Sequence, residues 1–376
     1  MKLWIGIIAL SLLFLFSDQC KSETTSEKIV TVDFSMAEKA IDWLEYINTG
    51  ADEKEIKEYF YENVAPTKGC QSIIKHWARF MEWDNDKFYK FIMEGLDRIP
   101  SERPLENDDG SLTAFGRRKM LWLAAIENPE ILRDDIIKLK KINLVDTSQT
   151  LAKMYLPDDA NIENDFYFVL FGGSNAFSIG KENGFDILQL SKNSDGTINT
   201  VEVLLLLAHE MHHSGFLSSD KVDLGDNLLL LGVLAAEGMP TYFINKTIDK
   251  IEIYKNSHDP ILRDLARQWE THLARMPQIY IEAEEDLKSN FDEKIGQKEI
   301  WAKWMDGLQG QAYALGSDMF SVVDKYLGLD SARIIPYDNR QFLRIYNNAA
   351  QIGNEQGGNY YIFSEDLIAR MANYMD

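Results

Sequence analysis

A long apolar run that ends in a cluster of histidines constrains this sequence more than any other feature. Val203-Leu-Leu-Leu-Leu-Ala208 leads directly into His209-Glu210-Met211-His212-His213. A helix that is apolar on nearly all sides is normally buried in a core. Buried imidazoles and carboxylates need partners, because leaving them unpaired costs several kcal/mol. The run therefore predicts a core helix whose last turns require a common partner for several polar groups.

The spacing of the histidines indicates which partner that is. His209 and His213 are four residues apart and lie on one helix face, so both imidazoles can reach one Zn²⁺ ion. Glu210 is placed beside the metal, where it can act as a general base, and bound zinc lowers the pKa of water to about 7. The alternative is a chance HExxH pattern with solvated histidines. His212 projects about 100° away from His213, which favours a surface or supporting role.

A catalytic zinc usually takes three protein ligands and leaves a fourth position open. The metzincin extension would need glycine and histidine where this chain has Phe216 and Ser219. A second apolar run, Leu228–Ala236, ends in Glu237. We predict Glu237 as the third ligand, the alternative being an exposed acid near a helix end.

The segments LLLLAHEMHH and AAEGMPTYF resemble the gluzincin clan of metallopeptidases, and most closely a bacterial family described only as zinc-dependent peptidases. The resemblance covers roughly the segment from Phe166 to Tyr346. It implies one zinc ion held by His209, His213 and Glu237, with Glu210 as general base.

The resemblance also raises two questions about neighbouring residues. Several gluzincins carry an aspartate four residues after the third ligand, and here that position is Thr241, so other residues must support the ligands. Glu202 and Asp226 are weak candidates. Stabilisation of an oxyanion needs a further donor, and Tyr313 lies in a downstream helical segment where similar enzymes place one. Tyr242 is the alternative, and either tyrosine can simply be a packing residue.

The remaining patterns predict an α+β fold that is predominantly helical, with a zincin-like catalytic core and helical lobes on either side. Three apolar runs predict a small sheet before the HExxH helix, at Phe166–Phe171, Ala176–Ile179 and Phe185–Leu190. Phe166–Phe171 is the candidate edge strand for pairing with a substrate backbone. Downstream helices are predicted at Pro260–Ser289, Gln309–Leu327, Asn339–Ile352 and Ser364–Tyr374.

The N-terminal residues predict export. Residues 1–22 have the basic, apolar and polar regions of a secretory signal peptide, and residues 23–32 are a polar linker. A helical region at 33–156 precedes the metallopeptidase core and C-terminal helical region at 157–376. The location would be periplasmic or extracellular. Cys20 leaves lipid anchoring open, and without it Cys70 is the only cysteine of the mature chain.

The net charge of the chain limits the classes of partner that are expected. The net charge of −21 argues against nucleic acid or anionic membranes as partners, and no membrane span is expected in the mature chain. We predict an exported zinc metallopeptidase that acts on a peptide or protein substrate. The alternative is a non-enzymatic exported binding protein or lipoprotein whose metal site is structural or vestigial.

Overall fold

The computed structural model describes residues 30–78, 82–108, 110–193, 195–219, 228–257 and 259–373. The predicted signal peptide, Cys20 and most of the linker lie outside these residues. Helices dominate and accompany one small sheet, which confirms the predicted α+β class. No helix within the described ranges is long and apolar enough to cross a membrane.

Four strands form the sheet. They are β1 (Thr31–Asp33), β2 (Asp165–Val169), β3 (Ala176–Ile179) and β4 (Glu182–Asp186). Their order is β1-β2-β4-β3, with β1, β2 and β4 parallel and β3 antiparallel to β4. The sequence patterns did not indicate β1.

Seventeen α-helices surround or follow this sheet in the described ranges. They are α1 (Ser35–Asn48), α2 (Glu53–Tyr59), α3 (Lys68–Ala78), α4 (Asn85–Gly95), α5 (Ala114–Glu127), α6 (Pro129–Leu139), α7 (Leu144–Lys153), α8 (Thr200–Ser219), α9 (Leu229–Pro240), α10 (Thr247–Lys255), α11 (Pro260–Ala274), α12 (Met276–Phe291), α13 (Gln297–Trp304), α14 (Gln311–Leu327), α15 (Leu329–Ala332), α16 (Phe342–Glu355) and α17 (Glu365–Ala372). Two π-helical turns, Phe60–Val64 and Thr241–Asn245, extend α2 and α9.

The chain divides into two compact units. Among the described residues, the sheet unit comprises those up to Thr147 together with Glu163–Leu204, and the helical unit comprises Ser148–Ile162 and those from Leu205 onward. In the sheet unit, α1 and α3 pack on the strands. Gly69 permits this, because a methyl group at that position would lie 2.9 Å from Cβ of Met36 and 3.0 Å from Cγ1 of Val169.

The prediction that Phe166–Phe171 supplies an edge strand is wrong. β2 lies inside the sheet, with β1 on one side and β4 on the other. The physical reason is visible in the run itself, which is apolar at every position rather than at alternate ones. Strands of parallel sheets are covered on both faces and therefore carry continuous apolar runs.

One stretch that was predicted as a single helix forms two helices. Pro260–Ser289 contains two helices, α11 and α12, with Arg275 between them. Pro277 occupies the first turn of α12. Proline lacks the backbone N–H that a helix interior needs, but it is tolerated in a first turn, so the chain starts a new helix there.

A buried carboxylate ties β4 to the turn after β2. Asp186 is fully buried and accepts hydrogen bonds from the backbone N–H groups of Phe171 (3.0 Å), Gly172 (2.5 Å) and Leu188 (3.2 Å) and from Nε2 of Gln189 (3.0 Å). Burial raises the pKa of Asp186 to about 6, although these four donors oppose the increase. The carboxylate therefore organises the turn at a cost in desolvation.

We expect Asp186→Asn to lower the free energy of unfolding at pH 7 by about 1–3 kcal/mol, because an amide nitrogen cannot accept the hydrogen bonds of buried donors. The native pKa of about 6 lies above the ordinary 3.8, so native protein holds this proton more tightly than unfolded chain. That stabilising contribution is complete below about pH 4 and is lost as the pH rises through about 6, which amounts to about 3 kcal/mol.

The variant's deficit should therefore widen between pH 7 and pH 4, as measured by urea unfolding. Asp134→Asn, at an exposed position of α6, is the matched control. A deficit that stays constant or narrows toward pH 4 would contradict this account.

Candidate metal centre

The HExxH residues lie in the second half of α8, as the sequence predicted. The side chains of His209 and His213 are almost buried, with residue exposures of 5% and 9%. Their rings are 4.6 Å apart between centroids and nearly perpendicular. The helical spacing therefore brings both imidazoles to one place inside the helical unit.

Glu237 reaches the same place from α9. Its Oε2 atom lies 3.3 Å from Nε2 of His209 and 3.4 Å from Nε2 of His213, and the residue is 4% exposed. Ligand atoms about 2.0–2.1 Å from a tetrahedral Zn²⁺ are separated by about 3.3–3.4 Å. The two measured separations match that spacing, and two imidazoles with one carboxylate form a donor set that zinc accepts.

Glu210 is a second carboxylate close to the imidazoles. One of its oxygens and one nitrogen from each of His209 and His213 all lie within 4.8 Å of one another. Glu210 is partly exposed, whereas Glu237 is buried. Oε2 of Glu237 lies at ligand spacing from both Nε2 atoms. The geometry therefore favours Glu237 as the ligand and leaves Glu210 beside the site.

The electrostatics of the buried trio agree with this arrangement. Burial raises the pKa of Glu237, but His213 and His209 outweigh it and bring the pKa to about 2. For His213, burial lowers the pKa, while Glu237 and Glu210 raise it to a value above the ordinary one. The carboxylate is therefore ionised at neutral pH and is available to a cation.

His212 is not at the surface, so that part of the prediction is wrong. The residue is completely buried, and its ring centroid lies 6.0 Å from that of Phe216. Burial, with His213 and His209 nearby, lowers the pKa of His212 well below its ordinary value, and the backbone of Tyr155 partly opposes this. The surface interpretation failed because the apolar surroundings of α8 continue on this face beyond Ala208.

The two candidate tyrosines occupy different surroundings. Tyr313, on α14, is 7% exposed, and burial, together with Glu237 and Glu210, raises its pKa well above the ordinary value. Tyr242 instead donates a hydrogen bond of 3.1 Å to Oδ2 of Asp324. Burial and Asp324 raise the pKa of Tyr242 to about 12. Of the two tyrosines, Tyr313 is the one whose pKa both glutamates of the site raise.

Two glycines set the distance between the helices that carry Glu237 and Tyr313. A Cβ atom on Gly238 of α9 would lie 2.4 Å from the carbonyl carbon of Gly316 on α14, and one on Gly316 would lie 2.3 Å from the carbonyl oxygen of Leu234. The backbones therefore touch. Lone glycines inside helical runs are a signal of close approach, and the sequence analysis did not use it.

Neither of the two residues that were candidates for supporting the metal ligands can be assigned that role. Glu202 lies in the first turn of α8, nearly two turns before His209, and Asp226 lies outside the described residues. Thr241 is completely buried, and its hydroxyl has no hydrogen-bond partner in the described part of the chain.

The comparison with known families gives one match. The family described as "Putative zinc dependent peptidase (DUF5700)" matches residues 61–355. This range contains every candidate ligand and both tyrosines. No curated protein and no solved structure matches the chain.

We expect the purified protein to bind one zinc ion, and His213→Ala and Glu237→Gln each to lose it, because each removes one of three converging donors. Glu210→Gln should retain the ion. Metal content after dialysis is the measurement, with Glu202→Gln as a control on the same helix. Equal zinc content in Glu237→Gln and the unmodified protein would show that Glu237 is not a ligand.

We also expect Gly316→Ala to weaken zinc binding at least tenfold without changing a ligand, because its methyl group would clash with the carbonyl oxygen of Leu234 and displace α9, which carries Glu237, relative to α8. Competition with a chromogenic chelator measures the affinity. Gly353→Ala adds the same methyl group to α16, where it meets the ring of Tyr360 rather than backbone, and should have little effect. Unchanged affinity in Gly316→Ala would refute the role of this contact.

Proposed function

Because residues 61–355 make this chain a member of the DUF5700 family, we propose that it is a single-zinc metallopeptidase that hydrolyses peptide bonds. The observation that carries the proposal is the convergence of Glu237 with His209 and His213 at separations of 3.3 and 3.4 Å. When bound, zinc supplies Lewis acidity, which lowers the pKa of water and polarises a carbonyl group.

Glu210 is the proposed general base. It lies beside the histidines and is partly exposed, so it can meet both water and substrate. Its carboxylate takes a proton from the attacking water and returns it to the leaving amine. Because Glu237 carries the ligand role, Glu210 remains available for this proton transfer.

Tyr313 is the proposed donor to the oxyanion. A phenol whose pKa is raised by burial and by Glu237 and Glu210 stays protonated at neutral pH and can donate a hydrogen bond. A donor already positioned in a buried site needs little reorganisation when negative charge develops on the carbonyl oxygen. Tyr242 is less suited, because the carboxylates that act on it are Asp324 and Asp249 rather than the two glutamates of the site.

We further propose that the protein acts outside the cytoplasm. The support is the signal-like sequence of residues 1–22, and lipid attachment at Cys20 is an open part of this proposal. Export leaves the peptidase to work in the periplasm or the medium.

The competing function is that of an exported binding protein with a structural metal. Such a site would be closed by a fourth protein ligand, whereas a catalytic site keeps one position for water. The two functions also differ in whether the zinc-loaded protein hydrolyses peptides and needs Glu210 to do so.

We expect Glu210→Gln to lower the hydrolysis of casein by about 10²–10⁴-fold while one zinc ion is retained, because the amide cannot accept the proton. Tyr313→Phe should lower kcat by about 10²-fold or more with little change in KM, since it removes a donor to the transition state. Tyr326→Phe, on the same helix as Tyr313 and with its hydroxyl at Tyr360, is the matched control and should stay near the unmodified rate.

Hydrolysis is measured with dye-labelled casein on zinc-loaded protein. If unmodified protein and Glu210→Gln behave alike, the peptidase proposal fails and the binding protein takes its place.

A further inference from the structure

A second feature of the helical unit is a cavity of about 400 Å³. Among the described residues that line it are two tyrosines, two aspartates and one lysine, which are Tyr155, Tyr242, Asp249, Asp324 and Lys246. Pockets for small ligands and side chains have volumes of about 300–1,000 Å³. The cavity is therefore large enough for a long amino-acid side chain.

On each of two helical segments, one residue of the cavity lining follows a residue of the candidate metal centre by about one helical turn. Thr241 lines the cavity, and its backbone N–H donates to the carbonyl of Glu237. On α14, Ser317 lines the cavity four residues after Tyr313. One helical turn is about 5.4 Å. A chain bound at the centre could therefore place a neighbouring side chain in this cavity.

Tyr155 belongs to a third segment of the cavity lining. Its ring stacks on Phe243, which also lines the cavity, at 4.9 Å between ring centroids. The residues of the candidate centre do not themselves line the cavity in the described part of the chain, and the connection between the two runs through the helical turns that lead to Thr241 and Ser317.

The polar groups of the lining indicate what the cavity accepts. Asp324 uses Oδ2 to accept the bond from Tyr242, which leaves Oδ1 for another donor. Asp249 is close enough to raise the pKa of Tyr242. The two aspartates therefore give this part of the lining more negative than positive charge.

We propose that this cavity binds a lysine or arginine side chain of the peptide substrate, an inference that rests on the proposed peptidase function. Two carboxylates outweigh the single ammonium of Lys246. The rings of Tyr155 and Tyr242 add attraction for a cation. An acidic side chain would be repelled by the two carboxylates, and an apolar one would gain nothing from them.

The binding experiment separates this inference from catalysis. Acetylated, dye-labelled peptides that differ only in one central residue, lysine, norleucine or glutamate, are titrated into zinc-loaded Glu210→Gln protein and followed by fluorescence anisotropy. We expect the lysine peptide to bind at least tenfold more tightly than the norleucine peptide.

Asp249→Asn and Asp324→Asn, each in the Glu210→Gln background, should bring this preference toward one. Asp330→Asn, an exposed change in the neighbouring helix α15, should preserve it. Lys246→Met should increase the preference, and a gain of this kind cannot come from misfolding. Equal binding of lysine and norleucine peptides, or a preference that survives both cavity substitutions, would overturn the inference.

The two proposals fail separately. If the lysine preference depends on Asp249 and Asp324 but unmodified protein does not hydrolyse casein, the cation site stands and the peptidase function falls. If casein is hydrolysed with dependence on Glu210 but the peptides bind alike, the function stands and the cavity has another role.

Discussion

The helical unit depends on one polar contact in an apolar environment, which is that of the Glu237 carboxylate with the imidazoles of His209 and His213. Removing an ionised carboxylate from water is strongly unfavourable unless cations or donors replace the water. The imidazoles do so here, since they keep the pKa of Glu237 at about 2 despite burial. This requirement fixes α9 against α8, because a shift of either helix would leave a buried charge without its partners. A divalent cation at the same point would satisfy all three groups at once, which is why the contact indicates a metal centre rather than an ordinary ion pair.

A second constraint is the contact between α9 and α14 in the same unit. α9 is apolar apart from Glu237, and its Gly238 meets Gly316 of α14 backbone to backbone. Because neither helix has a side chain at the contact, the two axes come close, and a fixed separation relates Glu237 to Tyr313. The next turn of each helix carries Thr241 or Ser317, which line the cavity. The candidate ligand, the candidate oxyanion donor and the cation cavity are thus parts of one packed pair of helices, and a change at the contact is expected to affect all of them.

Much of this could be predicted from particular residues. Helical spacing placed His209 and His213 on one face, and the apolar run before Glu237 predicted a helix that would bury it. The edge-strand assignment of Phe166–Phe171 failed because a strand's neighbours are decided by chain segments far away, here β1 and β4. His212 was misjudged because the helical wheel gives a direction but not what packs there. The choice between Tyr313 and Tyr242 could not be made from sequence, since both lie in apolar helical segments.

The sequence by itself determined the local matters: the predominantly helical class, the family, the spacing of the HExxH residues and the presence of an acid at the end of a second apolar helix. These follow from periodicity and residue type, which act over a few residues. The tertiary structure alone decided which acid meets the imidazoles at ligand spacing, which tyrosine accompanies them, and that Thr241 and Ser317 open onto a cavity with two carboxylates. Those outcomes depend on how helices pack, and packing is set by contacts such as that of Gly238 with Gly316, between residues distant in the chain.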